Sequence, residues 1–175
     1  LRITHRFILA LVAFWLSGAA VIAVSYWGLS SARDGLRTVH GHAMALALQA
    51  DDLVALTVHN RMQVLLAFQH APDNPLSAIH QHPVQEHLAL LSDNRQKVSQ
   101  ALQAIESALQ DEPERQAFAA VKAKRDTWVA ELDAATRAVQ QGDYTPERMA
   151  RFLQTGGPEN EALVAASLQF RALQV

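Results

Sequence analysis

The sequence predicts an all-α fold, an antiparallel up-down four-helix bundle that is preceded by one N-terminal transmembrane helix. Residues 7–29 contain neither a charged residue nor a proline, and at ~1.5 Å rise per residue they can span a ~30 Å hydrocarbon core as one helix. After this stretch, apolar or small residues recur in the heptad pattern of a bundle helix. The chain has only 7 Gly and 6 Pro, most of them in short clusters, so its composition favours long helices over sheet.

The predicted membrane anchor is the stretch FILALVAFWLSGAAVIAVSYWGL at residues 7–29. Arg2 and Arg6 precede it, and Tyr26 and Trp27 end it, where amphipathic aromatic rings favour the headgroup level. Basic residues that flank an anchor tend to stay in the cytoplasm. We therefore expect the basic N-terminus to be cytoplasmic and the chain after the anchor to lie outside.

The predicted division is into a cytoplasmic N-terminus at residues 1–6, a transmembrane helix at 7–29 and an extracytoplasmic domain at 30–175. A cleaved signal peptide is the alternative, because Ala19-Ala20 and Ser30-Ser31-Ala32 resemble small-residue cleavage sites. The apolar core of a signal peptide is usually shorter, ~7–15 residues. The length of the apolar stretch therefore favours a retained anchor.

The first bundle helix is predicted to continue directly from the anchor to Gln69, because no proline interrupts residues 30–69. Two positions of its apolar seam, Thr57 and Asn60, are polar. The cluster Ala71-Pro72-Asp73-Asn74-Pro75 then breaks the helix, and Pro75 is expected to open one short helical turn. The predicted seam consists of Leu36, Val39, Ala43, Leu46, Ala50, Leu53, Thr57, Asn60, Val64 and Ala67.

Three further helices are predicted. The second runs from Pro83 to about Gln110, where Asp111-Glu112-Pro113 ends it and begins the third helix with acidic residues at its N-terminus. Gly142-Asp143 stops the third helix, a short helical piece follows Pro146, and Gly156-Gly157-Pro158 opens the fourth. The predicted seams are Val84, Leu88, Leu91, Arg95, Val98, Leu102, Ile105 and Leu109; Phe118, Val121, Arg125, Trp128, Leu132, Ala135 and Val139; and Leu163, Ala166, Phe170 and Leu173.

The fourth helix is expected to be truncated, because about 18 residues are too few to match the length of the first. We therefore expect the chain to be a fragment of a longer protein that continues through a second membrane anchor into the cytoplasm.

Composition excludes several functional classes. The net charge is -2, which implies no nucleic-acid partner. The absence of Cys excludes thiol catalysis, disulfides and thiolate metal sites. The sequence has no phosphate-binding glycine loop and no nucleophile elbow, and no paired carboxylates can be placed in a cleft, so we do not expect an enzyme.

The layout and three short pieces resemble the periplasmic ligand-binding domain of bacterial methyl-accepting chemotaxis proteins of the aspartate- and serine-receptor type. The pieces are Leu53-Val54-Ala55-Leu56 followed by Asn60-Arg61, then Gln140-Gln141-Gly142-Asp143-Tyr144, and Arg151-Phe152-Leu153-Gln154-Thr155. The resemblance implies a sensor in the inner membrane with a periplasmic domain, a homodimer packed along the first helices, and a small-molecule site between the subunits. It also implies a cytoplasmic signalling module in the missing C-terminal part.

The same resemblance implies ligand contacts at Asn60 and Arg61 on the first helix and at Gln154 and Thr155 before the fourth. In the amino-acid receptors the first helix carries several arginines, whereas here Arg61 is nearly alone. This difference argues against aspartate or serine as the ligand.

Arginines at or beside seam positions are candidates for an anion site. Counted from the far end of the bundle, Arg95 and Asn60-Arg61 lie at similar heights, and a guanidinium suits a carboxylate. An arginine in a core is costly unless it is paired, so these arginines could instead pair with acidic residues or extend to solvent. Arg125 is expected to lie lower and to be structural.

Histidines around the first connection are candidates for a metal site. His70, His80, His82 and His87 place four imidazoles near one loop, and neutral imidazole is a common ligand of zinc, copper and nickel. The pair His80-x-His82 can chelate if the segment is extended. The alternatives are a polar loop in which these histidines cap helix ends, and a proton switch near neutral pH.

The function predicted from these observations is an extracytoplasmic sensor region of a transmembrane chemotaxis receptor. A small ligand would displace the fourth helix against the first by binding one arrangement better than the other. Two alternatives stay open: the input domain of a sensor histidine kinase or cyclase, and a membrane-anchored periplasmic metal-binding protein that uses the histidines.

Overall fold

A computed structural model describes residues 3–75 and 80–174, and within this part of the chain all regular structure is helical. Helix α1 comprises Ile3–Phe68, α2 Gln85–Ala108, α3 Glu112–Gln140, α4 Pro146–Arg151 and α5 Gly157–Ala172, and a π-helical turn at Phe152–Gly156 joins α4 to α5. The all-α prediction is therefore confirmed. Arg2, the side chain of Val39 and the short turn expected after Pro75 lie outside the described part of the chain.

The chain divides into two compact units, residues 1–42 and 43–175. The first unit contains the start of α1, which carries an apolar window with a mean hydropathy of 2.5, none of it buried. By length and composition this helix can cross a membrane. Leu36, predicted as the first seam residue, is 73% exposed. That prediction is wrong, because the described part of the first unit contains no second helix for Leu36 to face.

The second unit is the helical bundle, and its core largely follows the predicted seams. On α1 every predicted position from Leu46 to Ala67 is buried, including the polar Thr57 and Asn60. Leu173, predicted as the last seam residue of the fourth helix, is 55% exposed because it follows the end of α5. The other predicted seam residues that are buried are Leu91, Ile105, Phe118, Val121, Trp128, Leu132, Ala135, Val139, Leu163, Ala166 and Phe170.

The buried face of α2 is rotated from the predicted one. His87 and Asn94 occupy interior positions, whereas Leu88 and Arg95, which were predicted there, are only half-buried. Polar side chains are stable in a core when hydrogen bonds satisfy them, and both interior residues have partners on α1. The rotation leaves Arg95 at the edge of the core, where its guanidinium forms an ion pair with Asp133 on α3.

The ends of α3 follow the predicted boundaries. Asp111 caps the N-terminus by accepting a hydrogen bond from the backbone N–H of Glu114 at 2.9 Å, and the Glu114 carboxylate accepts one from the backbone of Gln110 at 2.7 Å. This reciprocal arrangement satisfies two backbone donors at a helix start. At the other end Gly142 adopts φ 75°, a left-handed conformation that favours glycine after a helix.

The fourth helix of the bundle, α5, begins at Gly157, as predicted from Gly156-Gly157-Pro158. The chain does not break before it but passes from α4 into α5 through the π-helical turn, in which the N–H of Gly157 bonds to the carbonyl of Phe152. Proline lacks an N–H and its ring crowds the carbonyl four residues earlier, and a π turn is one way for a helix to continue past such a residue. A Cβ atom on Gly156 would lie 3.0 Å from Cδ2 of Phe152, so glycine allows the close packing of this turn.

Candidate functional site

Four histidines lie together where α1 ends and α2 begins, and we call them the histidine cluster: His70, His80, His82 and His87. One lies in the turn after α1, two lie in the connecting segment, and one lies in the first turn of α2. All six distances between their ring centroids fall between 4.6 Å and 5.8 Å. The four rings thus lie at the corners of a compact tetrahedron.

Hydrogen bonds orient two of these rings. The Nδ1–H of His87 donates to Oε1 of Gln63 at 2.6 Å, and the Nε2–H of His80 donates to Oε1 of Gln69 at 2.9 Å. Each bond places the proton on one ring nitrogen and leaves the other nitrogen as a lone-pair donor. Nε2 of His87, Nδ1 of His80 and Nε2 of His70 are buried and have no hydrogen-bond partner among the described residues.

The electrostatics at His70 and His87 favour neutral imidazole. The pKa of His87 is lowered to about 4, first by burial and then by the charges of His82, His70 and His80, while Glu86 acts in the opposite direction. Burial also lowers the pKa of His70, with His80 and His82 adding to the effect. Two of the four rings are therefore held in the unprotonated form that a metal ion requires.

The geometry fits a tetrahedral metal ion after a small contraction. One nitrogen from each ring lies within 4.8 Å of one nitrogen from every other ring. Zinc–nitrogen bonds of about 2.0–2.1 Å in a tetrahedron place the nitrogens about 3.4 Å apart, so the rings need only rotate inward. A histidine that binds a metal through one ring nitrogen usually donates a hydrogen bond from the other, which fixes its tautomer and orientation. Gln63 is such an acceptor for His87.

A chain of polar side chains runs from the histidine cluster into the bundle. Nε2 of Gln63 contacts Nε2 of His59 at 2.8 Å, and Nδ2 of Asn94 lies 3.0 Å from Nδ1 of His59 and donates to Oδ1 of Asn60 at 3.0 Å. Gln63, Asn94 and Asn60 are all buried. These side chains connect α1 with α2 and join the histidine cluster to Asn60.

Asn60 lines an internal space of about 100 Å³, which we call the arginine cavity. Arg95 and Arg125 contribute its charged groups, and α1, α2, α3 and α5 all contribute to its wall. Arg61, Arg95 and Asn60 were predicted to form one anion site, and of these Asn60 and Arg95 line this cavity whereas Arg61 does not. The lining residues are Thr57, Asn60, Arg95, Val98, Arg125, Trp128, Val129, Leu132 and Leu163.

The other residues for which the resemblance implied ligand contacts lie outside the arginine cavity. Nη1 of Arg61 lies 3.7 Å from the carboxylate of Glu161 on α5, and Arg61 is not part of the lining of the arginine cavity. Gln154 and Thr155 are exposed in the π turn, where the Thr155 hydroxyl bonds to Glu131 at 2.7 Å. None of Arg61, Gln154 and Thr155 lines the cavity to which Arg95 contributes.

A family of four-helix-bundle sensory modules for signal transduction matches residues 1–169 of the chain. The chain belongs to this family, the sensory modules of methyl-accepting chemotaxis receptors. The match confirms the resemblance predicted from the sequence. Searches of the curated proteins and of the solved structures returned no match.

Sequence reasoning missed four polar residues that shape the sites of this sensory module. Arg125 was expected to be structural, yet it lines the arginine cavity. Gln63, Asn94 and His59 were not singled out, although they form the chain from the histidine cluster. One signal was available for Asn94 on α2: it follows Leu91 by three residues, and Leu91 follows the buried His87 by four.

Proposed function

We propose that this sensory module is the extracytoplasmic input region of a transmembrane chemotaxis receptor and that its input is a transition-metal ion, with zinc as the first candidate. One observation carries the proposal: four imidazoles whose ligand nitrogens all lie within 4.8 Å of one another. Sensing is the role of the family to which the chain belongs. Metal binding, the membrane position and the homodimer are parts of the proposal.

The chemistry of the histidine cluster favours a borderline metal ion over calcium or magnesium. Imidazole nitrogen suits zinc, copper and nickel, whereas calcium and magnesium prefer oxygen ligands. A tetrahedral set of nitrogen ligands favours zinc among these ions. The three buried nitrogens without partners support the same conclusion, because a metal ion would satisfy polar atoms that are otherwise costly to bury.

A bound ion would connect the end of α1 to the start of α2, and polar contacts link α1 in turn to α5. Nδ2 of Asn160 donates to the carbonyl of Thr57 at 3.2 Å, and Arg171 pairs with Asp51 at 3.2 Å. An ion that binds one arrangement of these helices better than another shifts the equilibrium between them. The signal would then be a small displacement of α5 against α1.

The membrane position and the homodimer rest on α1. Its apolar N-terminal part is long enough to span a bilayer, which would place the bundle in the periplasm and a cytoplasmic signalling module after a second anchor. A stripe of exposed small or apolar side chains on the bundle part of α1, with spacings close to heptad, supports pairing with the same helix of a second copy. The stripe consists of Met44, Leu48, Ala55, Val58 and Met62.

The proposal is tested by titrating the metal-free full chain in detergent micelles with zinc and measuring the heat of binding. Wild type is expected to bind one zinc ion, and the double variant His80→Ala/His82→Ala to lose at least about 100-fold in affinity, because only two imidazole ligands are left. The matched control is His5→Ala/His40→Ala, which removes two histidines outside the histidine cluster and is expected to bind zinc as wild type does.

Equal zinc affinity in wild type and in the His80→Ala/His82→Ala variant would contradict the proposal. So would a wild-type chain that takes up none of zinc, copper(II) or nickel(II) at micromolar concentrations. Circular dichroism of each variant confirms that a lost signal does not reflect an unfolded bundle.

A further inference from the structure

The arginine cavity is the second feature of the bundle that could hold a ligand, and the metal proposal does not use it. Its volume is about 100 Å³. An apolar protein cavity of about 150 Å³ holds benzene, which has six non-hydrogen atoms, so the arginine cavity has room for about four non-hydrogen atoms. This size excludes most amino acids and all nucleotides.

The charged groups of the cavity leave one guanidinium donor unused. Arg95 forms an ion pair with Asp133. Nη1 of Arg125 lies 3.1 Å from the exposed carboxylate of Asp126, but Nε of Arg125 is buried and has no hydrogen-bond partner among the described residues. A buried charged donor without a partner is costly, and an anion bound to the same guanidinium would offset part of that cost.

Positive charges lie close together at this place. Burial lowers the pKa of Arg95, and the nearby charges of Arg125 and Arg137 lower it further. Arg95 and Arg125 line the cavity, and each forms an ion pair, with Asp133 and with Asp126. One additional negative charge between the arginines would reduce their mutual repulsion.

The remaining wall of the cavity is mostly apolar. The side chains of Arg95 and Arg125 are 39% and 32% exposed, whereas Trp128 and Leu132 are 2% and 1% exposed. The arginines therefore lie toward solvent and the apolar side chains lie deeper in the bundle. This arrangement suits a ligand with a charged head and a short apolar tail.

We propose that the arginine cavity binds a short-chain monocarboxylate, whose carboxylate would contact the Arg125 guanidinium and whose alkyl tail would lie against Trp128. A dicarboxylate would place its second charge among apolar side chains or near Asp133, and sulfate would leave the apolar wall uncovered. All four long helices line the cavity, so the ligand would contact each of them. This site is separate from the proposed metal site and goes beyond metal sensing.

The test is calorimetric titration of the full chain in micelles with sodium acetate, propionate and butyrate, with succinate and sulfate for comparison. Propionate is expected to bind with a Kd in the millimolar range or below. Arg125→Gln is expected to weaken binding by about 10-fold or more, since it removes the charge-assisted hydrogen bond. The matched control is Arg115→Gln on the same helix, where the arginine is exposed and paired with Glu112 at 3.1 Å, and binding is expected to be unchanged.

Three further measurements separate loss of the propionate site from loss of the fold and from loss of the metal site. Arg125→Lys retains the charge without the guanidinium and is expected to weaken binding as well, and saturation transfer between propionate and the Trp128 indole locates the ligand in the wild-type chain. His80→Ala/His82→Ala is expected to bind propionate as wild type does. Absence of propionate binding by wild type, or equal binding by wild type and by a folded Arg125→Gln chain, would overturn the proposal.

Discussion

The protonation of single imidazole nitrogens decides whether the histidine cluster can bind a metal ion. Gln63 accepts a hydrogen bond from Nδ1–H of His87 at 2.6 Å, which leaves Nε2 of His87 as the donor to a metal. The amide thereby selects one of the two ring tautomers. Gln63 is buried, so water does not replace this contact easily.

Replacing Gln63 by leucine is expected to lower zinc affinity by about 10- to 100-fold, the usual effect of losing such a support. Gln103→Leu, an exposed position on α2, serves as the control and is expected to bind zinc normally. Both affinities are measured by competition with a zinc chelator. A Gln63→Leu chain with wild-type affinity would show that the amide does not orient His87.

The stability of the metal-free protein is expected to depend on the protonation of His87. Its pKa is about 4 in the fold against 6.5 for an ordinary histidine. Between these values the unfolded chain binds a proton that the folded chain does not, so stability is full above pH 6.5 and falls as the pH drops toward 4. The loss attributable to His87 is expected to be on the order of 1–3 kcal/mol.

This pH dependence is measured by urea unfolding in the presence of a chelator, with His87→Gln as the comparison. The variant has a neutral side chain at every pH, so its stability is expected to fall less over the same interval. Parallel pH profiles for wild type and variant would contradict the buried, neutral state of His87.

At the scale of single residues, the sequence indicated the histidines that could bind a metal ion but not the residues that hydrogen-bond to them. The spacing of His80, His82 and Pro83 marked a polar, non-helical segment, and the four histidines do come together. Arg125 could not be placed in the cavity from sequence, because its heptad position did not show which neighbouring helix it would face. The partners of His87 were missed because an interior Gln and Asn resemble exposed ones until the helix rotation is known.

At the scale of elements, the long helices were predictable from the sequence, whereas the π-helical turn between α4 and α5 was not. Heptad spacing located the buried face of α1, and prolines and glycines located most ends. The rotation of α2 depends on the pairing of His87 and Asn94 with α1, which is a tertiary contact. The π turn was missed because Gly156-Gly157-Pro158 is a typical breaker sequence, and its continuation depends on packing.

The π turn provides a prediction about packing. In Gly156→Ala the new Cβ atom would lie 3.0 Å from Cδ2 of Phe152 and 3.4 Å from Cβ of Glu131. The Phe152 ring is buried, and its centroid lies 5.7 Å from that of Trp128. We expect this overpacking to destabilise the bundle by about 1–3 kcal/mol in chemical unfolding.

Gly41→Ala is the control for this substitution. Apart from its own stretch of helix, no atom lies within 4 Å of a Cβ built on this glycine, so alanine is expected to be neutral or to stabilise the helix by up to about 1 kcal/mol. A Gly156→Ala chain as stable as wild type would contradict this prediction, because it would show that the π turn accommodates a methyl group at this position.

At the scale of the whole molecule, the proposed homodimer depends on the exposed stripe of α1. Leu48→Glu/Val58→Glu places two like charges on each copy of the stripe, so the chain is expected to become monomeric or to dimerise at least about 10-fold more weakly. Sedimentation equilibrium in micelles measures this change. Leu90→Glu alters an exposed leucine on α2, 42% exposed, and is expected to leave the dimer intact.

A dimer that persists in the Leu48→Glu/Val58→Glu chain, or a wild-type chain that is monomeric at all concentrations, would contradict pairing along α1. Neither outcome would affect the histidine cluster or the arginine cavity, because both are formed by residues of one chain.

X-ray absorption at the zinc edge of the zinc-loaded full chain shows directly whether the four imidazoles bind the ion. The expected result is a first shell of four nitrogen atoms at about 2.0 Å with the outer-shell scattering of imidazole rings, and loss of this signal in His80→Ala/His82→Ala. A first shell of mainly oxygen atoms, or the same spectrum from wild type and variant, would contradict it.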